Sequence, residues 1–94
     1  MDSVKVDGKR NKPQLFLYTL STCGWCKKTK EYLKDKEMAY EYVDVDKITK
    51  DEQKDIIDDL KKRDVPLAFP IIIVDDKQVI SGFKKQAIEE ALAK

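Results

Sequence analysis

The chain has 94 residues, with 19 basic and 18 acidic side chains for a formal charge of +1, 41% hydrophobic residues, two cysteines and no histidine. This length suits one domain of about 50–250 residues with its own core, the near-neutral balance speaks against nucleic acid as a partner, and the longest apolar run, 65–74, falls far short of the roughly 20 residues that cross a bilayer. Without histidine there is no histidine acid–base or Cys–His chemistry, two cysteines alone do not make a structural zinc site within one chain, and residues 1–7 lack the apolar core of a secretory signal, so a cytosolic setting with no membrane contact is expected.

Residues 1–12 are polar and basic-leaning, with an Asp7-Gly8 turn signal, and read as a flexible or loosely packed extension because Val4 and Val6 offer little to bury. The domain is expected over 13–94. Leu15-Phe16-Leu17-Tyr18-Thr19-Leu20 is apolar, aromatic and β-branched, the pattern of a buried strand. Ser21 and Thr22 follow as helix-capping residues. Cys26, Thr29, Lys30 and Leu33 then recur at helical spacing in a helix that fades near Lys36.

Tyr40-Glu41-Tyr42-Val43-Asp44-Val45 alternates as a second strand, with Tyr40 and Tyr42 on one face. Thr49-Lys50-Asp51-Glu52 has the form of a capping box. The helix it opens buries Ile56, Ile57 and Leu60 and stops before Val65-Pro66, since a residue preceding proline resists helical geometry. Its mixed charges, such as Asp58 and Lys62 at i, i+4, make a solvated face. Pro70-Ile71-Ile72-Ile73-Val74 is the most strand-like stretch; Asp75-Asp76-Lys77 turns it into Gln78-Val79-Ile80. After the joint Ser81-Gly82-Phe83, a last helix lines up Ala87, Ile88, Ala91 and Leu92. The order βαβαββα predicts an α/β domain: a four-stranded mixed sheet flanked by three helices, with a right-handed crossover in its first half.

Chemistry concentrates in Cys23-Gly24-Trp25-Cys26, at the joint of the first strand and first helix. A helix start presents unpaired N–H groups and the positive end of the dipole, which stabilise a thiolate; the free-cysteine pKa of about 8.5 falls to roughly 3.5–7.5 in such motifs. Cys23, preceding or opening the helix, is expected to be the more exposed and more acidic sulfur. Cys26, one turn in on the same side, is expected to be shielded by its helix, and thiol–disulfide exchange needs such a pair, one thiolate to attack and a second to resolve the mixed disulfide. Gly24 leaves room for a partner backbone, Trp25 offers an apolar surface, and Lys27 and Lys28 add solvated positive charge. A redox dithiol therefore leads, and half a metal site completed by a second chain stays open as the rival.

From Gln14 to its end the chain resembles the glutaredoxin family of the thioredoxin fold. The resemblance rests on residues 18–26, on Ala68-Phe69-Pro70-Ile71-Ile72-Ile73-Val74, and on the joint Ser81-Gly82-Phe83. It implies Cys23 as nucleophile, Cys26 as resolving thiol, a cis bond before Pro70, and a substrate groove of Gly24, Trp25, Phe69, Pro70 and Gly82 where an extended segment pairs beside Cys23. The family's basic residue three positions before the nucleophile is replaced by Leu20, and its acidic pair by Lys84 and Lys85. Losing two charge-assisted bonds weakens glutathione binding by more than about a hundredfold. The resemblance so adjusted implies a monomeric oxidoreductase acting on protein disulfides, needing no cofactor beyond its own disulfide, and re-reduced by a flavin- or iron–sulfur-dependent disulfide reductase. A glutathione-dependent glutaredoxin and a dimeric iron–sulfur or zinc carrier are the alternatives.

Overall fold

The side chains of the central strands alternate between two apolar layers, and that alternation sets the architecture. The computed structural model describes residues 3–93. In chain order the elements are β1 (Val4–Val6), β2 (Leu15–Thr19), α1 (Gly24–Asp35), β3 (Tyr40–Asp44), a short 3-10 turn (Val45–Lys47), α2 (Lys50–Lys62), β4 (Ile71–Val74), β5 (Gln78–Ser81) and α3 (Lys85–Leu92). They form one sheet in the order β1-β3-β2-β4-β5. Only β2 and β3 pair in parallel; the other neighbours are antiparallel.

Leu15 and Leu17 of β2, with Ile72 and Val74 of β4, pack against Leu33 of α1 and Ile88, Ala91 and Leu92 of α3. On the opposite face Tyr18, Ile71 and Ile73 pack with Val43 against Ile56 and Leu60 of α2. Period-two burial on both faces explains why β4 reads as a continuous Ile-Ile-Ile-Val run. Each such side chain, fully buried, contributes about 1.5–3 kcal/mol from water exclusion. Ile57, expected among the buried residues of α2, is only partly covered.

The sheet has five strands where four were expected, and the added one lies in the stretch read as a loose extension. Val4 remains 47% exposed and only Val6 packs partly against the core, so apolar burial alone does not hold β1 in place. The open backbone edge of β3 does: Val4, Lys5 and Val6 register with Tyr42, Glu41 and Tyr40. Asp7-Gly8 accordingly makes no local hairpin. Gly8 runs against the backbone of residues 37–39, where a Cβ would come within 2.5 Å of Ala39 N, so a side chain there would displace the segment. Beyond it, Arg10 N–H donates to Glu37 O at 2.9 Å and Arg10 O accepts from Ala39 N–H at 2.7 Å. The Arg10 guanidinium reaches Leu92 O at 2.9 Å, answering a carbonyl left over at the end of α3.

Candidate functional site

Strand register brings the chemistry-bearing segments to one end of the sheet. Tyr18 of β2 stands opposite Ile71 of β4, so the chain leaving β2 toward Cys23 and the chain entering β4 through Pro70 lie side by side. The parallel partner adds Asp44, opposite Thr19. The Phe69–Pro70 bond is cis, and so is Lys12–Pro13. Pro70 is fully buried, and its carbonyl accepts a hydrogen bond from Gly82 N–H at 2.8 Å. Gly82 has φ 82°, the left-handed region that suits glycine, as the chain turns from β5 into α3.

The residue that caps α1 is Cys23 itself, not Ser21 or Thr22 as expected. Its backbone is extended, and its sulfur accepts the N–H of Cys26 at 3.2 Å, the bond a serine or threonine oxygen makes elsewhere. Ser21 is engaged differently: its N–H donates to Asp46 Oδ1 at 2.9 Å and its hydroxyl donates to Asp46 Oδ2. These bonds hold the Asp46 carboxyl below its ordinary range. Cys23 N–H closes the turn onto Leu20 O at 3.1 Å. The first turn of α1 contains no acidic side chain.

The two sulfurs differ in surroundings. Both are free thiols, Cys23 partly exposed and Cys26 buried. Cys26 is 0% exposed, and burial, reinforced by the hydrogen bond and charge of Cys23, pushes its thiol up to about 12, against a backbone bond from Leu20 and the positive charge of Lys30. One thiol is thus within reach of solvent and the other is held protonated behind it.

Trp25 is 56% exposed. It stacks on Phe83 with ring centroids 5.9 Å apart and planes at 26°, while Lys28 Nζ sits 4.7 Å above its centre. Phe83 in turn meets Tyr32 edge-on at 5.9 Å. This ladder ties the start of α1 to the joint before α3. Cys23, Gly24, Trp25 and Cys26 therefore form one group and Phe69, Pro70 and Gly82 a second, joined through the Trp25–Phe83 stack and the Gly82–Pro70 bond. Phe69 packs partly against the α2 side of the core. Lys84 is the N-cap of α3 without a side-chain capping bond, and no acidic residue stands in that helix's first turn. Lys84 also lines a groove of about 650 Å³ with Arg63, Lys77, Ala68 and Ser81.

Two features went unassigned in the sequence. In the sequence Phe83 is only part of a joint, and no local pattern pairs it with Trp25. Lys30 and Asp44 were placed on a helix and a strand without being paired. The signal was a lysine on the same stripe as Cys26, Thr29 and Leu33. Among the described residues, no helix is long and apolar enough to cross a membrane.

Comparison with known proteins agrees with this geometry. Residues 15–79 match the model of the glutaredoxin family. A glutaredoxin-like 8.6 kDa protein from the rubredoxin operon of Clostridium pasteurianum is 36% identical over 84 residues, covering 83% of this chain and 96% of the relative. Among solved structures, the glutaredoxin of Methanosarcina mazei superposes with a TM-score of 0.81 at 34% identity, over 98% of this chain and 88% of the other. The methanoredoxin of Methanosarcina acetivorans reaches 0.75 at 39% identity, over 88% and 87%.

Proposed function

The chain belongs to the glutaredoxin family, and from that premise we propose that it reduces protein disulfides through a Cys23–Cys26 dithiol cycle that does not depend on glutathione. The observation that carries this reading is the cap itself: a partly exposed sulfur at the head of α1, accepting the backbone N–H of Cys26, whose own thiol is buried. In the first step Cys23 thiolate attacks one sulfur of a target disulfide; a bond forms between them, and the other target sulfur leaves as a thiol. In the second, Cys26 attacks Cys23 and releases the target's remaining sulfur. Two electrons pass to the target, and Cys23–Cys26 ends as a disulfide. A disulfide reductase of the flavin or iron–sulfur class then returns two electrons and two protons. The cycle is completed by one copy of the chain, in the cytosol.

Glutathione independence is supported by the charges around the site. Leu20 offers no cation to a glutathione carboxylate, and α3 begins with Lys84 and Lys85 where an amine would need an acid. The groove for an extended protein segment would run past Gly24, Trp25, Phe69, Pro70 and Gly82.

The test is reduction of insulin disulfides with dithiothreitol as donor, run beside reduction of a glutathione mixed disulfide. The native chain is expected to turn over insulin and to act on the glutathione substrate more slowly by about a hundredfold or more. With the chain reduced beforehand and dithiothreitol then removed, Cys26→Ser should stop after one event, leaving a target covalently attached at Cys23 that mass spectrometry detects. Comparable turnover of both substrates would refute the glutathione-independent part; release of reduced insulin by Cys26→Ser without dithiothreitol, with no target left attached, would refute the dithiol cycle.

A further inference from the structure

Most lysines of α1 face water, but Lys30 does not. It stands one helical turn beyond Cys26, and its side chain is only 24% exposed. Its Nζ lies 3.6 Å from Asp44 Oδ1, on a side chain itself 22% exposed. Asp44 is held from below by Thr19, which is 0% exposed. Thr19 Oγ1 lies 2.6 Å from Asp44 Oδ1 and 3.2 Å from Val43 O. One hydroxyl hydrogen serves one acceptor, and the shorter contact assigns it to the carboxylate. The Lys30 ammonium also rests 3.7 Å from the centre of the Tyr42 ring. An ion pair, a buried hydroxyl and an aromatic face thus fix a charge that would keep more hydration and more freedom on the outer side of the helix.

We propose that Lys30, anchored by Asp44, is a positioning residue that favours the ionised form of Cys26 in the resolving step; the inference rests on the dithiol reading above. Burial opposes ionisation of Cys26, and the positive charge of Lys30 acts in the opposite direction. In the mixed disulfide, Cys26 Sγ forms a bond to Cys23 Sγ as the bond from Cys23 to the target sulfur breaks. The electron pair of that bond leaves with the target sulfur, which takes up a proton in place of the one Cys26 released. The cysteine pair is oxidised and the target sulfur reduced, with no further reactant. The charged and titratable groups facing Lys30 are Asp44 and Tyr42 from β3 and Cys26 from its own helix; β2 contributes the uncharged Thr19. Cys26 is faced in addition by Cys23.

The test mixes the reduced chain with excess dithiobis-nitrobenzoate and follows the coloured thiol in a rapid-mixing experiment. The phase that scales with reagent concentration reports attack by Cys23; the concentration-independent phase reports attack by Cys26. Lys30→Met is expected to slow the second phase on the order of tenfold near neutrality and to move its pH profile about one unit alkaline, leaving the first phase unchanged. Lys30→Arg should retain the native profile. Should Lys30→Met fail to fold, Lys30→Gln makes the same comparison. A second phase whose pH profile ignores the loss of the cation overturns the inference. A native chain with no second phase at all overturns the dithiol reading instead.

Discussion

Helices α1 and α2 begin in opposite chemical ways. At α2, Thr49 Oγ1 accepts the N–H of Glu52 at 3.1 Å, Glu52 returns a bond to the Thr49 N–H, and Asp51 and Glu52 both stand in the first turn. Oxygen acceptors and negative charge answer the unpaired amides and the dipole. At α1 a sulfur, a weaker acceptor, takes the place of the threonine oxygen, and the first turn has no acid. Burial of Cys26, Thr29 and Leu33 must therefore hold α1 in place. The contrast teaches that the helix start left open electrostatically is the one carrying the sulfur proposed to react.

Substitution at the two starts can break or sharpen that contrast. The largest effect is expected from Cys23→Ser. The hydroxyl keeps the cap but cannot attack a disulfide, so insulin reduction should fall to the rate without protein, while thermal unfolding shifts by less than the equivalent of about 1 kcal/mol. Next comes the pH dependence of stability. The folded Cys26 thiol is raised from 9.0 to about 12, so below about 9 both states hold the proton. Above it the unfolded chain releases its proton first. Stability is expected to decline as pH rises from about 9 toward 12, and denaturant titrations of Cys26→Ala should show a shallower decline.

Thr49→Ala is expected to lower stability by about 1 kcal/mol with insulin turnover unchanged, because that cap serves only the helix. The smallest effect belongs to Lys27→Glu, which supplies the first-turn acid that α1 lacks. It should add about 0.3–1 kcal/mol to stability and slow attack by Cys23 about twofold to threefold, since like charge then faces the reacting sulfur. Faster attack would contradict the electrostatic reading of α1.

What was legible in the sequence follows from how local each cause is. The Thr49–Glu52 box and the Ile71–Val74 strand are written in consecutive residues, and both appear where expected. Strand β1 is not, because Val4-Lys5-Val6 gains its place from the free edge of β3, a partner dozens of residues away. The cap of α1 is hidden for a related reason. Ser21 is the better capping residue by type, but Asp46 from the turn after β3 claims both its polar groups. Cys23 and Cys26 stand out through their spacing together with their place at the joint of a strand and a helix, both of which are local. Lys30 needed the parallel register that sets Thr19 beside Asp44, and no local pattern contains that register.

The position of Trp25 has one more consequence, for observation. It is the only indole in the chain, it stands between the two cysteines in sequence, and its ring stacks with Phe83 and carries the Lys28 ammonium over it. Ultraviolet emission excited through tryptophan therefore originates wholly beside the two cysteines. The protein carries its own optical reporter, and the proposed exchange between dithiol and disulfide is expected to be followed by intrinsic fluorescence, without a dye or a label.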